Sequence, residues 1–216
     1  MEANINEIMD YYAKANVSFL GAFASTDPPK SRRMGTTTYP GGCGILFPFS
    51  GSARFALNGT PYVIKPGMVV HAGPAMRLDR EVIGDEPCCF AVVHYHIPQN
   101  EIEKFPLYRS HFSFPTSSNA KIPILIQQLL QNQSVPGAAA LFRSKLLFIT
   151  LLGELFDSSK KQLADDGSVL AEQIMEYIRQ NHAEATTIAR IASRFGLDRR
   201  RLADLFERYV GRTPSN

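Results

Sequence analysis

Between Tyr39 and Ile97 the chain is broken at short intervals by turn-forming groups: Pro40-Gly41-Gly42, Asn58-Gly59, Lys65-Pro66-Gly67, Gly73-Pro74 and Gly84-Asp85. No long helix interrupts the stretch, and the spacing predicts short strands in an antiparallel sandwich or barrel. Asn58-Gly59 supplies both left-handed positions of a tight hairpin turn between Arg54–Leu57 and Pro61–Ile64. Within this stretch Ala53, Phe55 and Leu57 alternate with Arg54, Ala56 and Asn58, which leaves one face apolar and the other mixed. Residues 16–38 hold no sustained period. With Asp27-Pro28-Pro29 and the basic Lys30-Ser31-Arg32-Arg33 they read as an arm or irregular lead-in.

From Ile122 the period becomes helical, with Ile122, Leu125, Ile126, Leu129 and Leu130 on one stripe that stops at Val135-Pro136-Gly137. A second helix is predicted from Ala138 to about Asp157. Its polar residues Arg143, Thr150, Glu154 and Asp157 occupy one narrow stripe, while Leu141, Leu146, Leu147, Phe148, Ile149, Leu151, Leu152, Leu155 and Phe156 fill the rest. Such a helix must be covered on more than one side, either by a second subunit or wholly within its own monomer. Residues 158–168 are polar and read as a linker.

Beyond Ser168 three helices follow from spacing: Leu170, Ile174, Tyr177 and Ile178; then Ile188, Ile191, Ala192 and Phe195; then Leu202, Leu205, Phe206 and Tyr209. Gly196-Leu197-Asp198 joins the last two, with Gly196 suited to a left-handed C-terminal position and Asp198 to an N-cap. That is the arrangement of a helix-turn-helix, although a generic helical hairpin has the same spacing. The chain is nearly balanced overall, with 23 basic and 20 acidic residues, which excludes an argument for DNA or membranes from net charge. The last 48 residues, however, carry eight arginines and no lysine against six acidic groups. Arg194, Arg199, Arg200 and Arg201 cluster at the turn and the start of the third helix, the end that enters the major groove in such motifs.

The run from Thr187 to Asp198, then Leu202, Leu205-Phe206 and Gly211-Arg212-Thr213-Pro214, resembles the first helix-turn-helix of AraC-type transcriptional regulators. Gly59, Tyr62-Val63-Ile64-Lys65-Pro66-Gly67 and His71 resemble, more weakly, the sensor domain common in that family. The resemblance implies a cupin-like barrel, a dimerising helical hairpin and a DNA-binding unit contacting DNA through Arg194, Arg199, Arg200, Arg201, Ala203 and Asp204. Two departures stand out. Asp204 and Glu207 sit where the family usually carries basic residues, so Asp204 could accept from a cytosine amino group while repelling phosphate. The family pattern also continues past Thr213-Pro214 into a second helix-turn-helix, so the expectation here is a fragment of a longer regulator or a truncated product.

An alternative of another class is a metal-dependent cupin enzyme. His94-Tyr95-His96 places two imidazoles on one strand face, and His71 follows a neighbouring predicted strand. The cupin-enzyme pattern wants its HxH in the early strands, yet Ile45–Phe49 and Ala53–Leu57 hold no histidine. No phosphate loop, GxSxG or nucleophile-base pairing is present, and the three cysteines, Cys43, Cys88 and Cys89, form no CxxC. A third reading is a dimerisation or partner-binding module without DNA binding of its own.

The expected fold class is therefore α+β: a cupin-like antiparallel β-barrel over about 16–98, a helical hairpin over about 119–157, a linker at 158–168 and an all-α helix-turn-helix segment over 169–216. The expected function is a ligand-responsive DNA-binding transcriptional regulator, not an enzyme, with no cofactor and no metal. Its expected partners are double-stranded DNA, a small-molecule effector near Arg54, His71, His94 and His96, and a second copy as homodimer, with no membrane. Acidic residues Glu2, Glu7 and Asp10 at the N-terminus argue against a signal peptide and for the cytoplasm.

Overall fold

The computed structural model describes residues 4–180 and 187–210, the side chains of 208–210 aside. Its elements are α1 (Ile5–Lys14), β1 (Ser18–Asp27), β2 (Arg32–Thr37), β3 (Cys43–Ser50), β4 (Ser52–Leu57), β5 (Thr60–Ile64), β6 (Met68–Ala72), β7 (Arg77–Ile83), β8 (Cys88–His96), β9 (His111–Pro115), α2 (Lys121–Asn132), α3 (Ala138–Gln180), α4 (Ile188–Arg194) and α5 (Arg199–Val210). They form two compact units, residues 1–160 and 161–216, with α3 contributing to both.

In the first unit, all pairings are antiparallel. One sheet has the order β1-β8-β3-β6-β9 and the other β2-β7-β4-β5. Because side chains alternate along a strand, each strand of the five-stranded sheet feeds two cores. Along β8, Phe90 and Val92 pack between the sheets with Leu46, Phe55, Leu57 and Val82. Ala91, Val93, Tyr95 and Ile97 point the other way, into a larger core closed by Ile8 and Tyr11 of α1, Ile126 and Leu129 of α2, and Phe148, Leu151 and Leu155 of α3. The fold class is the α+β arrangement expected, with antiparallel sheets first and helices after them.

The Asn58-Gly59 hairpin forms as predicted, both residues at positive φ (49° and 86°) and Leu57 paired with Thr60. The α2 stripe is also as predicted, with Ile122, Ile126 and Leu129 buried. Three expectations differ. Residues 16–38 form β1 and β2 rather than an irregular arm. β2 is exposed throughout and β1 carries a register shift between Phe19 and Gly21, so neither shows an alternating pattern; their backbone pairing to β7 and β8 holds them. The open edge of β1 is closed by one side chain: the Ala22 N–H donates to Gln133 Oε1 at 2.9 Å and Gln133 Nε2 donates to the Ala22 carbonyl at 2.8 Å. The sheet continues past residue 98 to β9, which pairs with β6. Residues 158–168 are helical, within α3, where Ser158 and Ser159 are buried and Gln162 Nε2 donates to Asp166 one turn on at 2.8 Å. Good helix formers at Lys160, Lys161, Gln162, Leu163 and Ala164 outweigh the single Gly167, which costs about 1 kcal/mol.

α1 is an element that periodicity did not reveal. Asn4 caps it, accepting from the Asn6 N–H at 2.9 Å, while Glu7 reaches back to the Asn4 N–H at 3.4 Å.

The first half of α3 is only half covered. Phe148, Leu151, Leu152 and Leu155 are buried, but Leu141, Phe142, Leu146 and Ile149 are 73%, 72%, 59% and 47% exposed. The first unit thus leaves one face of this helix uncovered.

In the second unit, Ile174 of α3, Ile191 and Ala192 of α4, and Leu202 and Phe206 of α5 form a separate small core. Among the described residues no helix is long and apolar enough to cross a membrane.

Candidate functional site

Where the two sheets of the first unit face each other they leave a cavity of about 370 Å³. Its walls are Leu46, Phe55, Leu57, Val70, Ala72, Leu78, Phe90 and Val92, and its mouth is framed by Thr36–Tyr39, Phe23 and His94. The rings of Tyr39 and Phe23 lie 5.1 and 5.7 Å from the His94 imidazole. Burial lowers the His94 pKa, so this ring is held neutral near pH 7. Gly44 lies on the wall beside it. A Cβ there would meet Val92 Cγ1 at 3.0 Å and His94 Cδ2 at 3.4 Å, so the missing side chain is part of the cavity's shape.

One permanently charged side chain lines this space. Arg80 shares one face of β7 with Leu78 and Val82, both packed between the sheets, and is carried inward with them. Its Nη1 lies 3.4 Å from Asp27 Oδ2, at the end of β1, with the two side chains 16% and 5% exposed. The guanidinium also sits 5.9 Å over the Phe90 ring. Its Nε is buried and has no hydrogen-bond partner. Sequence reasoning missed both Arg80 and Asp27. The available signal was the arginine in Leu78-x-Arg80-x-Val82, an inward position of an alternating strand.

Of the four residues expected at a ligand, His94 alone lines the cavity. His96 shares its strand face but lies outside the lining. Arg54 projects from the outer face of β4, half exposed, 3.5 Å from Glu81 Oε2. His71 is completely buried on the opposite side of its sheet, because Val70 and Ala72 take the inward positions of β6. There its Nε2 lies 2.8 Å from the Tyr95 hydroxyl and its ring stacks on Phe112 at 4.5 Å. Burial lowers its pKa to about 3, against a smaller opposing contribution from the Ser110 backbone. The three histidines therefore do not converge. Among the described residues no group of three or more His, Cys, Asp or Glu is placed to hold a metal ion.

The helix pair of the second unit is built as the sequence spacing suggests. Thr187 caps α4, accepting from the Arg190 N–H at 3.3 Å. Gly196 takes φ 65°, and the Leu197 N–H turns back to the Ala192 carbonyl at 2.8 Å, the bond pattern of a left-handed helix stop. Asp198 then accepts from the Arg201 N–H at 2.7 Å and starts α5. With Leu202 and Phe206 buried, Arg199, Arg200, Arg201 and Asp204 are exposed and Ala203 is half-buried. Arg194, at the end of α4, lies 4.8 Å over the ring of Tyr177. The Gly211-Arg212-Thr213-Pro214 stretch lies outside the described residues.

No family model and no curated protein sequence matches the chain. Among solved structures it is similar to ToxT from Vibrio cholerae, at 10% identity over 92% of this chain and 97% of that one, with a TM-score of 0.42. A putative glyoxylate induced protein from Pseudomonas aeruginosa shares 12% identity over 49% of this chain and 45% of that one, with a TM-score of 0.38. The cupin domain of Schizosaccharomyces pombe Cnp3 shares 12% over 42% and 72%, with a TM-score of 0.33. At such identities and scores these likenesses add nothing to what the chain's own strand order and helix packing establish.

Proposed function

We propose that the chain is a ligand-responsive, DNA-binding transcriptional regulator without catalytic activity of its own, in which the first unit senses a small molecule and the second contacts DNA. The observation that carries the reading is the start of α5. Three consecutive exposed arginines, Arg199, Arg200 and Arg201, stand on a helix whose position is fixed by the Gly196 stop, the Asp198 cap and the buried Leu202 and Phe206. Guanidinium groups at a helix start suit phosphate oxygens and guanine edges. The Arg194 contact with Tyr177 makes that residue a brace for α4 as much as a DNA ligand. Asp204 is exposed on the same helix and opposes phosphate.

The second support is the cavity, which falls within the ~300–1,000 Å³ range of small-molecule sites, with apolar walls and few polar groups. The uncovered Leu141, Phe142, Leu146 and Ile149 fit a homodimer joined through α3.

The test is titration of a labelled duplex at two salt concentrations. One such helix pair gives weak binding, with Kd of ~10⁻⁴ to 10⁻⁶ M and a steep salt dependence. Arg200→Ala lowers both the affinity and the salt slope, the slope by about one counterion. Unchanged binding in Arg200→Ala would mean that α5 does not read DNA.

A further inference from the structure

The cavity between the sheets combines apolar walls, threonines at its mouth and a single arginine, and that arginine already has an anion beside it. Asp27 lies 3.4 Å from Arg80 and is more deeply buried than its partner. The lining therefore offers no net positive charge: Arg80 is matched by Asp27, and among the described lining residues no other Lys, Arg, Asp or Glu is present. His94 at the mouth adds a neutral ring. A carboxylate or phosphate entering here would lose its hydration against Phe55, Leu57 and Phe90 and meet the field of an ion pair whose negative member is fixed in place. A neutral molecule meets no such penalty. It can also accept a hydrogen bond from the Arg80 guanidinium, whose donors are not all used within the protein, Nε being without a partner.

Resting on the reading of this cavity as the effector site, we propose that its ligand is a neutral, largely apolar small molecule with one hydrogen-bond acceptor, such as a ketone or ester. Asp27 is the residue that excludes anions, by occupying the charge of Arg80. The order of contacts follows from the geometry. Apolar surface fills the space between the sheets, the acceptor atom faces Arg80, and a flat portion can rest against Tyr39 and His94 at the mouth.

The test uses two probes of one shape and different charge, 2-acetonaphthone and 2-naphthoate, titrated calorimetrically into the full chain at pH 7.5. The ketone is expected to bind at least tenfold more tightly than the carboxylate. In Asp27→Asn, where Arg80 is uncovered, the preference is expected to invert. Ala72→Phe, which fills the cavity, is expected to abolish binding of the ketone. If Asp27→Asn fails to fold, Asp27→Asn combined with Arg80→Gln removes both charges and is expected still to reject 2-naphthoate. Equal or tighter binding of 2-naphthoate by the unmodified chain, lost in Ala72→Phe, would overturn the neutral-ligand proposal while leaving the cavity as the effector site. Binding of neither probe, or binding that Ala72→Phe leaves intact, would overturn both.

Discussion

His71 Nε2 and the Tyr95 hydroxyl meet at 2.8 Å, and the same hydroxyl lies 3.0 Å from that of Tyr11, so β6, β8 and α1 share one buried polar contact. Within this contact the imidazole is held neutral, its pKa lowered from 6.5 to about 3 chiefly by burial. Between those two values the unfolded chain binds a proton that the folded chain does not. The stability from neutral His71 is thus complete above pH 6.5 and lost as the pH falls through that window, by about 1.4 kcal/mol per pH unit well inside it. His94 and His111, also lowered by burial, act with the same sign. Urea denaturation at pH 7 and pH 5 should show a marked loss for the unmodified chain. His71→Gln should be less stable at pH 7 but show a smaller loss between the two. An equal loss in both would remove His71 as the source.

Gln133 closes the open edge of β1 with two hydrogen bonds to Ala22. Gln133→Ala leaves that N–H and carbonyl without the side-chain partner and should destabilise the first unit by about 1–3 kcal/mol. Amide exchange provides the specific readout: the Ala22 N–H should exchange faster in the variant, with protection in β3 and β8 reduced only by the global loss.

The dimer proposal places Leu146, 59% exposed in the single chain, near the centre of an α3 contact. Sedimentation equilibrium of the unmodified chain should report a dimer at micromolar concentration. Leu146→Glu should give a monomer with unchanged circular dichroism, because the side chain contributes little to the monomer's own core. A monomeric unmodified chain that binds no hydrophobic dye would count against the interface.

On α5, Asp204 and Asp198 carry the same charge in different roles. Asp204 is exposed, and Asp204→Arg should tighten duplex binding and steepen its salt dependence by relieving repulsion. Asp198 accepts the Arg201 N–H, and Asp198→Ala should cost about 0.5–2 kcal/mol of helix stability, seen as a lower Tm of the second unit. An Asp204→Arg variant with weaker binding would point away from this face.

The parts of the fold legible in the sequence are those where one face meets a core at regular spacing. Ala53, Phe55 and Leu57 in β4, and Ile122, Ile126 and Leu129 in α2, show their period because every second or every third-to-fourth residue is buried. β1 and β2 are edge strands held by backbone pairing, and no periodicity records that. Residues 158–168 look polar because most of that stretch of α3 is solvated, and polarity alone cannot separate a solvated helix from a linker. The cavity was illegible for another reason. His71 and His94 differ in which side of one sheet they face, a matter of strand register, and Arg80 draws its role from Asp27, 53 positions away in sequence but 3.4 Å away in space.

Gly44 gives the cavity a different kind of adjustability. The space beside His94 is set by a hydrogen atom, with Val92 Cγ1 standing 3.0 Å and His94 Cδ2 3.4 Å from where a methyl group would go. Its φ lies outside the left-handed range, so alanine fits the backbone and asks only the neighbouring side chains to yield by a few tenths of an ångström. Size discrimination and charge discrimination are therefore separately heritable in this chain. One small substitution at position 44 narrows the range of ring systems admitted beside the mouth, while the pairing of Asp27 with Arg80 goes on deciding which charges enter.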